Sequence, residues 1–170
     1  MTYFSHIIDL EQAHLRGRPM SFSASKDQCE HIMEVFDLLD LKSFTVQTHI
    51  NQLINKTYEV NGSLNAVVVQ SSVVSCEPVT TSISEQFTVM LMPSQKRLDE
   101  YEESHPDDDC DVFVAGEYDI GNLALEYLSL SLPTNPKLAG ESADHIEFDE
   151  NEKEIVASPF ATLMDKLKDK

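Results

Sequence analysis

The sequence predicts an α+β fold: an antiparallel sheet of about four to six strands, which could close into a partly open barrel, with two or three helices and acidic flexible segments. Between residues 43 and 93, apolar and polar side chains alternate and Val, Ile, Thr and Phe are frequent, as is typical of half-buried strands. On either side of this region, apolar residues recur at helical spacing. With 170 residues, of which 41% are hydrophobic, the chain can bury one domain core.

The first 40 residues predict two short strands and a helix. FSHIIDL at 4–10 and MSFSAS at 20–25 alternate in the manner of strands. Ser25 and Gln28 have the spacing of a capping box, and residues 26–39 then carry a single apolar stripe. An amphipathic helix is therefore expected over 26–39. The stripe consists of Cys29, Ile32, Met33, Phe36 and Leu39.

Three strand-like segments follow: FTVQTHINQLI, TYEVNGSLNAVVVQSSVV and TTSISEQFTVMLM. Asn61 and Gly62 form either a hairpin turn or a bulge within one long strand. Residues 76–79, which include Glu77 and Pro78, are expected to connect two strands because a proline favours turns and strand ends.

Residues 94–110 interrupt this pattern. Positions 99–111 hold eight carboxylates and no basic residue, and such a density of like charges predicts a solvated, mobile loop. Calcium loops alternate their ligands around a glycine, and PDDDCD at 106–111 does neither, so no metal site is expected. DVFVA at 111–115 could add one strand.

The segment YDIGNLALEYLSLSLPTNP predicts a buried helix with a proline exit. Asp119 is a favourable N-cap, and Pro133 ends the helix because the residue before a proline avoids helical geometry. Pro133 and Pro136 also have the P-x-x-P spacing of polyproline ligands, but no basic anchor accompanies them. The apolar face consists of Ile120, Leu123, Ala124, Tyr127 and Leu128.

The predicted domain covers residues 1–136, and two further segments follow it. Residues 137–157 are polar and acidic and predict a linker. Residues 158–170 predict a terminal amphipathic helix with an apolar stripe that includes Phe160 and Leu163. A helix this short is marginal alone, so it docks either on its own domain or on a partner.

Charge is the strongest compositional signal. The net charge is −18; residues 1–93 hold 5 basic and 10 acidic residues, and residues 94–170 hold 7 basic and 20 acidic ones. Such a surface repels phosphates, which argues against direct RNA binding and favours basic protein partners. The alternative is that the acidity only keeps the chain soluble. The basic residues of the first half, Arg16, Arg18, Lys26, Lys42 and Lys56, are not clustered.

The cellular compartment and the absence of catalysis are predicted mainly because targeting signals and catalytic motifs are missing from the sequence. The start, MTYFSHIIDLEQ, lacks the features of a secretory signal, and no apolar run is long enough to span a membrane. Three widely spaced cysteines predict reduced thiols in a cytoplasm. Because no G-x-S-x-G, Walker or H-E-x-x-H motif is present, we expect a non-enzyme with no catalytic residues, metal or cofactor.

Three stretches resemble the YceD family, the large ribosomal RNA subunit accumulation proteins. The family's helix-and-proline signature corresponds here to Asp119, Glu126, Leu132, Pro133 and Pro136. VVVQSSVVSCEPV at 67–79 is similar to the segment that ends in an E-P-V turn, here at Glu77 and Pro78, and SPFATLMDKLK at 158–168 is similar to the terminal motif with Phe160 and Leu163.

The chain departs from the family at two cysteine positions. Ser72 stands where members usually carry a cysteine, and Cys76 stands at a position that is apolar in relatives, which it could fill as a small hydrophobe. Because zinc needs about four ligands, this segment gives little support to a zinc site.

The resemblance implies a role in the accumulation or processing of the large-subunit (23S) ribosomal RNA and in ribosome assembly. Together with the charge, it predicts a non-catalytic factor that contacts basic ribosomal or assembly proteins, or precursor particles. The alternative is an RNA-processing enzyme or metal-dependent subunit that uses the acidic cluster, although two-metal chemistry needs carboxylates held on rigid elements.

Overall fold

A five-stranded mixed sheet forms the centre of the computed structural model, which describes residues 4–141. The strands are β1 (Ile7–Asp9), β2 (Met20–Ser23), β3 (Asp40–Gln52), β4 (Tyr58–Ser71), β5 (Pro78–Met92), β6 (Cys110–Val112) and β7 (Glu117–Asp119). The helices are α1 (Leu10–Arg16), α2 (Lys26–Phe36), α3 (Gln95–Ser104) and α4 (Ile120–Ser131), with a 3₁₀ turn at Ile54–Lys56. The order of the large sheet is β2-β3-β4-β5-β6, and β1 pairs with β7.

The predicted α+β class is confirmed, and the strand number lies within the predicted range. The sheet is open among the described residues, with β2 and β6 at its edges. It is not wholly antiparallel, because β6 pairs in parallel with the end of β5 at Met90–Met92. The connection between these two strands is α3, since parallel neighbours need a crossover.

One face of the sheet carries the core. Alternate residues of β3, β4 and β5 are buried, among them Phe44, Leu64 and Val89, as expected for strands with one covered face. Helix α4 packs against β4 and β5 through the predicted face, of which Ile120, Leu123, Ala124 and Leu128 are buried. Fourteen residues of β4 pair with β5 without a register shift.

Gly62 lies inside β4 and not in a turn. A Cβ atom on Gly62 would lie 2.2 Å from the ring of Phe87, its cross-strand partner in β5. The hairpin alternative for Asn61 and Gly62 is therefore wrong, and β4 is one long strand, although its pairing is regular and shows no bulge here. The glycine leaves space for an aromatic ring.

Helix α2 begins as predicted and ends earlier. Ser25 and Gln28 form both bonds of the capping box. The helix stops at Phe36 because Asp37 adopts a left-handed conformation, φ 52°, and donates its N–H to Met33 O. The predicted extension to residue 39 is wrong, since Asp40 already pairs with Val69.

Two helices were not predicted. Helix α1 follows Asp9, whose carboxylate accepts a hydrogen bond from Gln12 N. Helix α3 occupies most of the segment for which a loop was predicted, and only residues 105–109 beyond it lack regular structure. The predicted linker at 137–157 and terminal helix at 158–170 lie largely or wholly outside the described residues.

Candidate functional site

Asp119 is the N-cap of α4, as predicted, and also ties the N-terminal segment to this helix. Its Oδ1 accepts hydrogen bonds from Gly121 N at 3.0 Å and Asn122 N at 3.2 Å. The same carboxylate accepts from His6 N at 2.8 Å and Ser5 Oγ at 2.6 Å. Four donors therefore converge on one side chain, two from the helix and two from a segment more than 110 residues away in the chain.

Gly121 allows this close approach. A Cβ atom at this position would lie 1.8 Å from Phe4 O and 2.8 Å from His6 N. Its neighbour Ile120 donates its N–H to His6 O at 3.1 Å. The first turn of α4 and residues 4–6 thus form one backbone-to-backbone contact, and the Asp119 carboxylate contributes to it by accepting hydrogen bonds from both segments.

The two central family stretches meet in space. Gln70 Nε2 donates to Pro133 O at 3.2 Å, and Val73 N donates to Pro136 O at 2.9 Å. Pro136 is buried, and Leu132 is half-buried against the core. Because both prolines have bonded carbonyls and one is buried, the segment is an internal clasp in this structure and not a free polyproline ligand.

The loop between β4 and β5 is built around Ser72. This buried hydroxyl accepts from Val74 N and Ser75 N, while Ser72 N donates to Glu77 O at 2.8 Å. Glu77 and Pro78 are exposed at the strand connection. Cys76 is also exposed and has φ 62°, so the expectation that it fills an apolar site is wrong.

Glu126 lines a different region, a cavity of about 190 Å³ between α4 and β6. The cavity wall includes Asp109, Asp111, Tyr118 and Tyr127. Partial burial, followed by the nearby charge of Asp111, raises the pKa of the Glu126 carboxyl. Glu126 lies two turns after Asp119 in α4. The Asp119 carboxylate caps the helix, whereas the Glu126 carboxyl lines the cavity.

Three tyrosines donate hydrogen bonds to residues 106–111, which we call the acidic run. Tyr101 Oη donates to Asp108 Oδ2 at 2.7 Å, and Tyr118 Oη donates to Asp111 Oδ2 at 2.7 Å. Tyr127 Oη donates to Asp109 Oδ2, and its ring stacks on Phe87 with centroids 4.5 Å apart.

The same contacts perturb the three phenols. The hydrogen bond to Asp108, followed by burial, raises the pKa of Tyr101 to about 12. Burial and then the hydrogen bonds to their aspartates raise the pKa of Tyr118 and Tyr127.

We call the surface formed by α3, residues 105–111 and Glu126 the acidic face. Its parts are connected by direct contacts, including Cys110 Sγ to Glu102 Oε1 at 3.6 Å and the three tyrosine bonds. Lys96 and Arg97 are its basic residues, and both lie within 4.0 Å of Glu100. The face therefore has a large excess of carboxylates, three of which are oriented by hydrogen bonds from tyrosines.

Some predicted residues lie apart from this face, and some members of the face were not predicted. Glu77, Pro78, Pro133 and Pro136 belong to the clasp, and Phe160 and Leu163 lie outside the described residues. Tyr118, Tyr127 and the role of the individual aspartates were missed. Tyrosines on both sides of the acidic run in the sequence were the available signal, but only the fold shows which carboxylate each one reaches.

Residues 4–141 contain neither a metal-binding cluster nor a membrane span. No group of three or more His, Cys, Asp or Glu side chains is placed to hold a metal ion there. None of the helices in this part of the chain is long and apolar enough to cross a membrane.

The fold and the site together define an α+β protein with one acidic face, in which tyrosines donate hydrogen bonds to aspartates. The family model of the large ribosomal RNA subunit accumulation protein YceD matches residues 60–165, well over half of the chain. The chain belongs to the YceD family, which gives it a role in the accumulation of large-subunit ribosomal RNA. Comparison with curated proteins returned no match, and comparison with solved structures returned none.

Proposed function

We propose that the protein promotes accumulation of large-subunit ribosomal RNA as a non-catalytic factor that binds a basic ribosomal or assembly protein. The observation that carries this proposal is the acidic face, where Asp108, Asp109 and Asp111 each accept a tyrosine hydroxyl. The proposed site of action is the cytoplasm, on free basic proteins or on precursor particles.

The tyrosine bonds favour a binding role. A carboxylate that is already oriented loses less side-chain entropy when a cation arrives, so more of the contact energy appears as affinity. Each aspartate also keeps an oxygen that does not accept from its tyrosine, and Asp108 and Asp109 are exposed. A partner's lysine or arginine could use that oxygen as an acceptor.

Charge alone would mainly change the rate at which the partner associates. Clustered carboxylates steer a basic partner and raise its association rate, and salt weakens the effect. The same field repels the phosphates of naked RNA. A factor with this surface would hold the protein component of a precursor particle rather than its RNA.

The alternative of an RNA-processing enzyme has less support from the geometry. Three of the four aspartates in residues 106–111, namely Asp108, Asp109 and Asp111, accept hydrogen bonds from three different phenols, which is an arrangement that orients each of these carboxylates separately. Two-metal catalysis instead uses carboxylates that converge on ions about 4 Å apart.

The test compares two charge-neutralised variants of the full-length protein. Glu103→Gln with Asp107→Asn removes two charges from the acidic face, and Glu30→Gln with Glu34→Gln removes two exposed charges from α2. We expect the first pair of substitutions, and not the second, to weaken binding to proteins extracted from large ribosomal subunits, with an affinity that falls as salt rises.

Two results would overturn the proposal. One is tight binding of the purified protein to naked large-subunit transcript at physiological salt. The other is magnesium-dependent cleavage of precursor RNA that disappears when Asp107, Asp108 and Asp109 are replaced by Asn.

A further inference from the structure

A second cavity, of about 360 Å³, lies between α3, the end of β5 and the 3₁₀ turn at Ile54–Lys56. We call it the α3 groove. The Tyr101 ring forms part of the helical wall, and Met90 and Met92 belong to the β5 side. The turn contributes Leu53 and Ile54. The groove is thus mainly apolar, although it adjoins the most acidic part of the described chain.

The turn presents an isoleucine to solvent. Ile54 is 83% exposed and Leu53 is 43% exposed. The next two residues, Asn55 and Lys56, have φ 60° and φ 58°, a left-handed conformation that costs non-glycine residues free energy. Leu53 N donates to Thr57 O at 2.7 Å and closes the turn. A strained turn that exposes a large apolar side chain is typical of binding sites.

The walls combine a fixed side and an adaptable side. Tyr101 is held by its bond to Asp108 and by the His105 ring, whose centroid lies 4.3 Å away. On the β5 side, Met92 is buried and accepts a hydrogen bond from Thr57 Oγ1, whereas Met90 is half-buried and has an unbranched side chain of the kind that adapts to partners of different shape. A volume within the range of about 300–1,000 Å³ accommodates a few side chains and not a folded domain.

Charge indicates the occupant. The groove wall itself carries one carboxylate, Glu100, and one guanidinium, Arg97, which lie 3.5 Å apart, but the surrounding segment, residues 95–111, holds eight acidic and two basic residues, a net charge of −6. A partner segment with only apolar side chains would place no cation on the carboxylates of residues 95–111. A partner segment with only cationic side chains would leave Ile54 exposed to water. A basic amphipathic segment uses both.

We propose that the α3 groove binds a basic amphipathic segment of the partner protein, with apolar side chains against Ile54 and Tyr101 and cationic side chains on the carboxylates of α3. This inference rests on the proposed function, because it assigns to the basic partner the part that docks. The groove supplies the apolar contact that sets the lifetime of the complex, while the acidic face steers the encounter.

The test substitutes Ile54→Glu in the full-length protein. Leu15→Glu, on α1, is the matched control, since Leu15 is 74% exposed and does not line the groove. Both variants gain one negative charge, so electrostatic attraction alone would strengthen binding of a basic ligand in each. A loss of binding in Ile54→Glu alone therefore identifies the apolar contact.

The probes are a synthetic Leu/Lys peptide with an apolar helical face, the same composition scrambled so that no face forms, and proteins extracted from large ribosomal subunits. We expect Ile54→Glu to lower the affinity for the amphipathic peptide by at least about tenfold. The scrambled peptide should bind weakly, and it should bind each variant at least as tightly as it binds wild type, because both variants gain a negative charge. Equal affinity of wild type and Ile54→Glu for the amphipathic peptide would overturn the inference.

The ribosomal proteins separate the two proposals. If wild type and both variants bind these proteins equally, the groove is not the docking site and the proposed function stands. If none binds them while the peptide result holds, the proposed function fails and the groove remains a site for basic amphipathic segments. If wild type is a dimer and Ile54→Glu is a monomer, the occupant is a second copy of the chain and the inference is wrong.

Discussion

Ser5 Oγ donates a 2.6 Å hydrogen bond to Asp119 Oδ2, and this contact joins the start of the described chain to the N-terminus of α4. The other oxygen of the same carboxylate accepts three backbone N–H groups. A residue of the family signature thus serves the fold, since it satisfies donors that would otherwise be left without partners.

Asp119→Ala should lower the free energy of unfolding by about 2–4 kcal/mol, more than the roughly 1 kcal/mol of a simple N-cap. The larger value is expected because the bonds from Ser5 and His6 are lost together with the cap. Urea denaturation followed by circular dichroism measures the change. Ser5→Ala removes one donor and should cost about 1 kcal/mol; equal costs for the two variants would contradict the four-donor interpretation.

Gly121→Ala should destabilise the protein by about 3 kcal/mol, because its Cβ would overlap Phe4 O and overpacking forces the backbone apart. Gly116→Ala is the control. Gly116 has φ 83°, and a Cβ added to it would meet no heavy atom within 4 Å, so only backbone strain of about 1 kcal/mol is expected. Thermal melts of both variants give the comparison, and a milder effect at Gly121 than at Gly116 would refute the close contact.

The tyrosines should titrate late and make the fold sensitive to alkali. The pKa values of Tyr58, Tyr101, Tyr118 and Tyr127 are raised in the native state, that of Tyr101 to about 12. The native state therefore holds these protons more tightly than the unfolded chain, in which the pKa is about 10. The stability that they contribute is complete below about pH 10 and is lost as the pH rises through the native values.

Ultraviolet absorbance of tyrosinate, recorded in buffer and in guanidinium, checks this prediction. The native curve should lie at higher pH than the unfolded curve for most of the signal. Tyr101→Phe should remove one late-titrating group. Coincident native and unfolded curves would mean that the bonds to the aspartates do not persist in solution.

Glu126→Gln should leave the melting temperature unchanged or raise it at neutral pH. A raised pKa means that the charged form is disfavoured by folding, so this carboxyl stabilises the native state at low pH and that contribution disappears as the pH rises through its native pKa. The amide can still accept from Asn122 Nδ2, which donates to Glu126 Oε1 at 3.0 Å.

If Glu126 acts in the acidic face, the same variant should weaken binding to large-subunit proteins and lower the accumulation of large-subunit RNA in cells. Glu30→Gln on α2 is the control for the loss of one charge. Full RNA accumulation with Glu126→Gln would remove this residue from the proposed site.

The terminal motif can be tested although it lies outside the described residues. Phe160→Ala combined with Leu163→Ala should reduce recovery of basic partners if that segment is an anchor, because two large apolar side chains are lost. Crosslinking in cells, followed by identification of bound protein and RNA, measures the recovery. Undiminished recovery would exclude the segment as an anchor.

The sequence was sufficient where one local rule acted without competition. The Ser25 and Gln28 spacing identified the start of α2, and Asp119 with Pro133 identified both ends of α4. The alternation over 43–93 identified the sheet because one of its faces is covered by α4. Each of these signals comes from residues whose partners are close in the chain or whose burial follows a simple period.

Local sequence rules were insufficient to predict the elements that depend on contacts between residues distant in the chain. Ser94 makes no side-chain cap to α3, and the helix contains four carboxylates, so its sequence resembles a solvated loop. Burial of Leu98 favours the helix, and the hydrogen bond from Gln95 to Asp99 and the exposed ion pair of Lys96 with Glu100, each one turn apart, add smaller contributions. The role of Gly62 likewise depends on Phe87, which lies 25 residues away and opposite it only after β4 and β5 pair.

The unequal lengths of β5 and β6 have a consequence for how the chain behaves at high concentration. Strand β5 has fifteen residues and β6 three, so among the described residues most of the outer margin of β5 has no neighbouring strand. Such margins recruit strands from other molecules and seed aggregates. Here the margin starts with a proline, which cannot donate to a ladder, and continues through threonines, serines and Glu85. These polar side chains oppose the pairing of this margin with strands of other molecules. Their replacement by apolar residues would lower the solubility of the protein and favour aggregation.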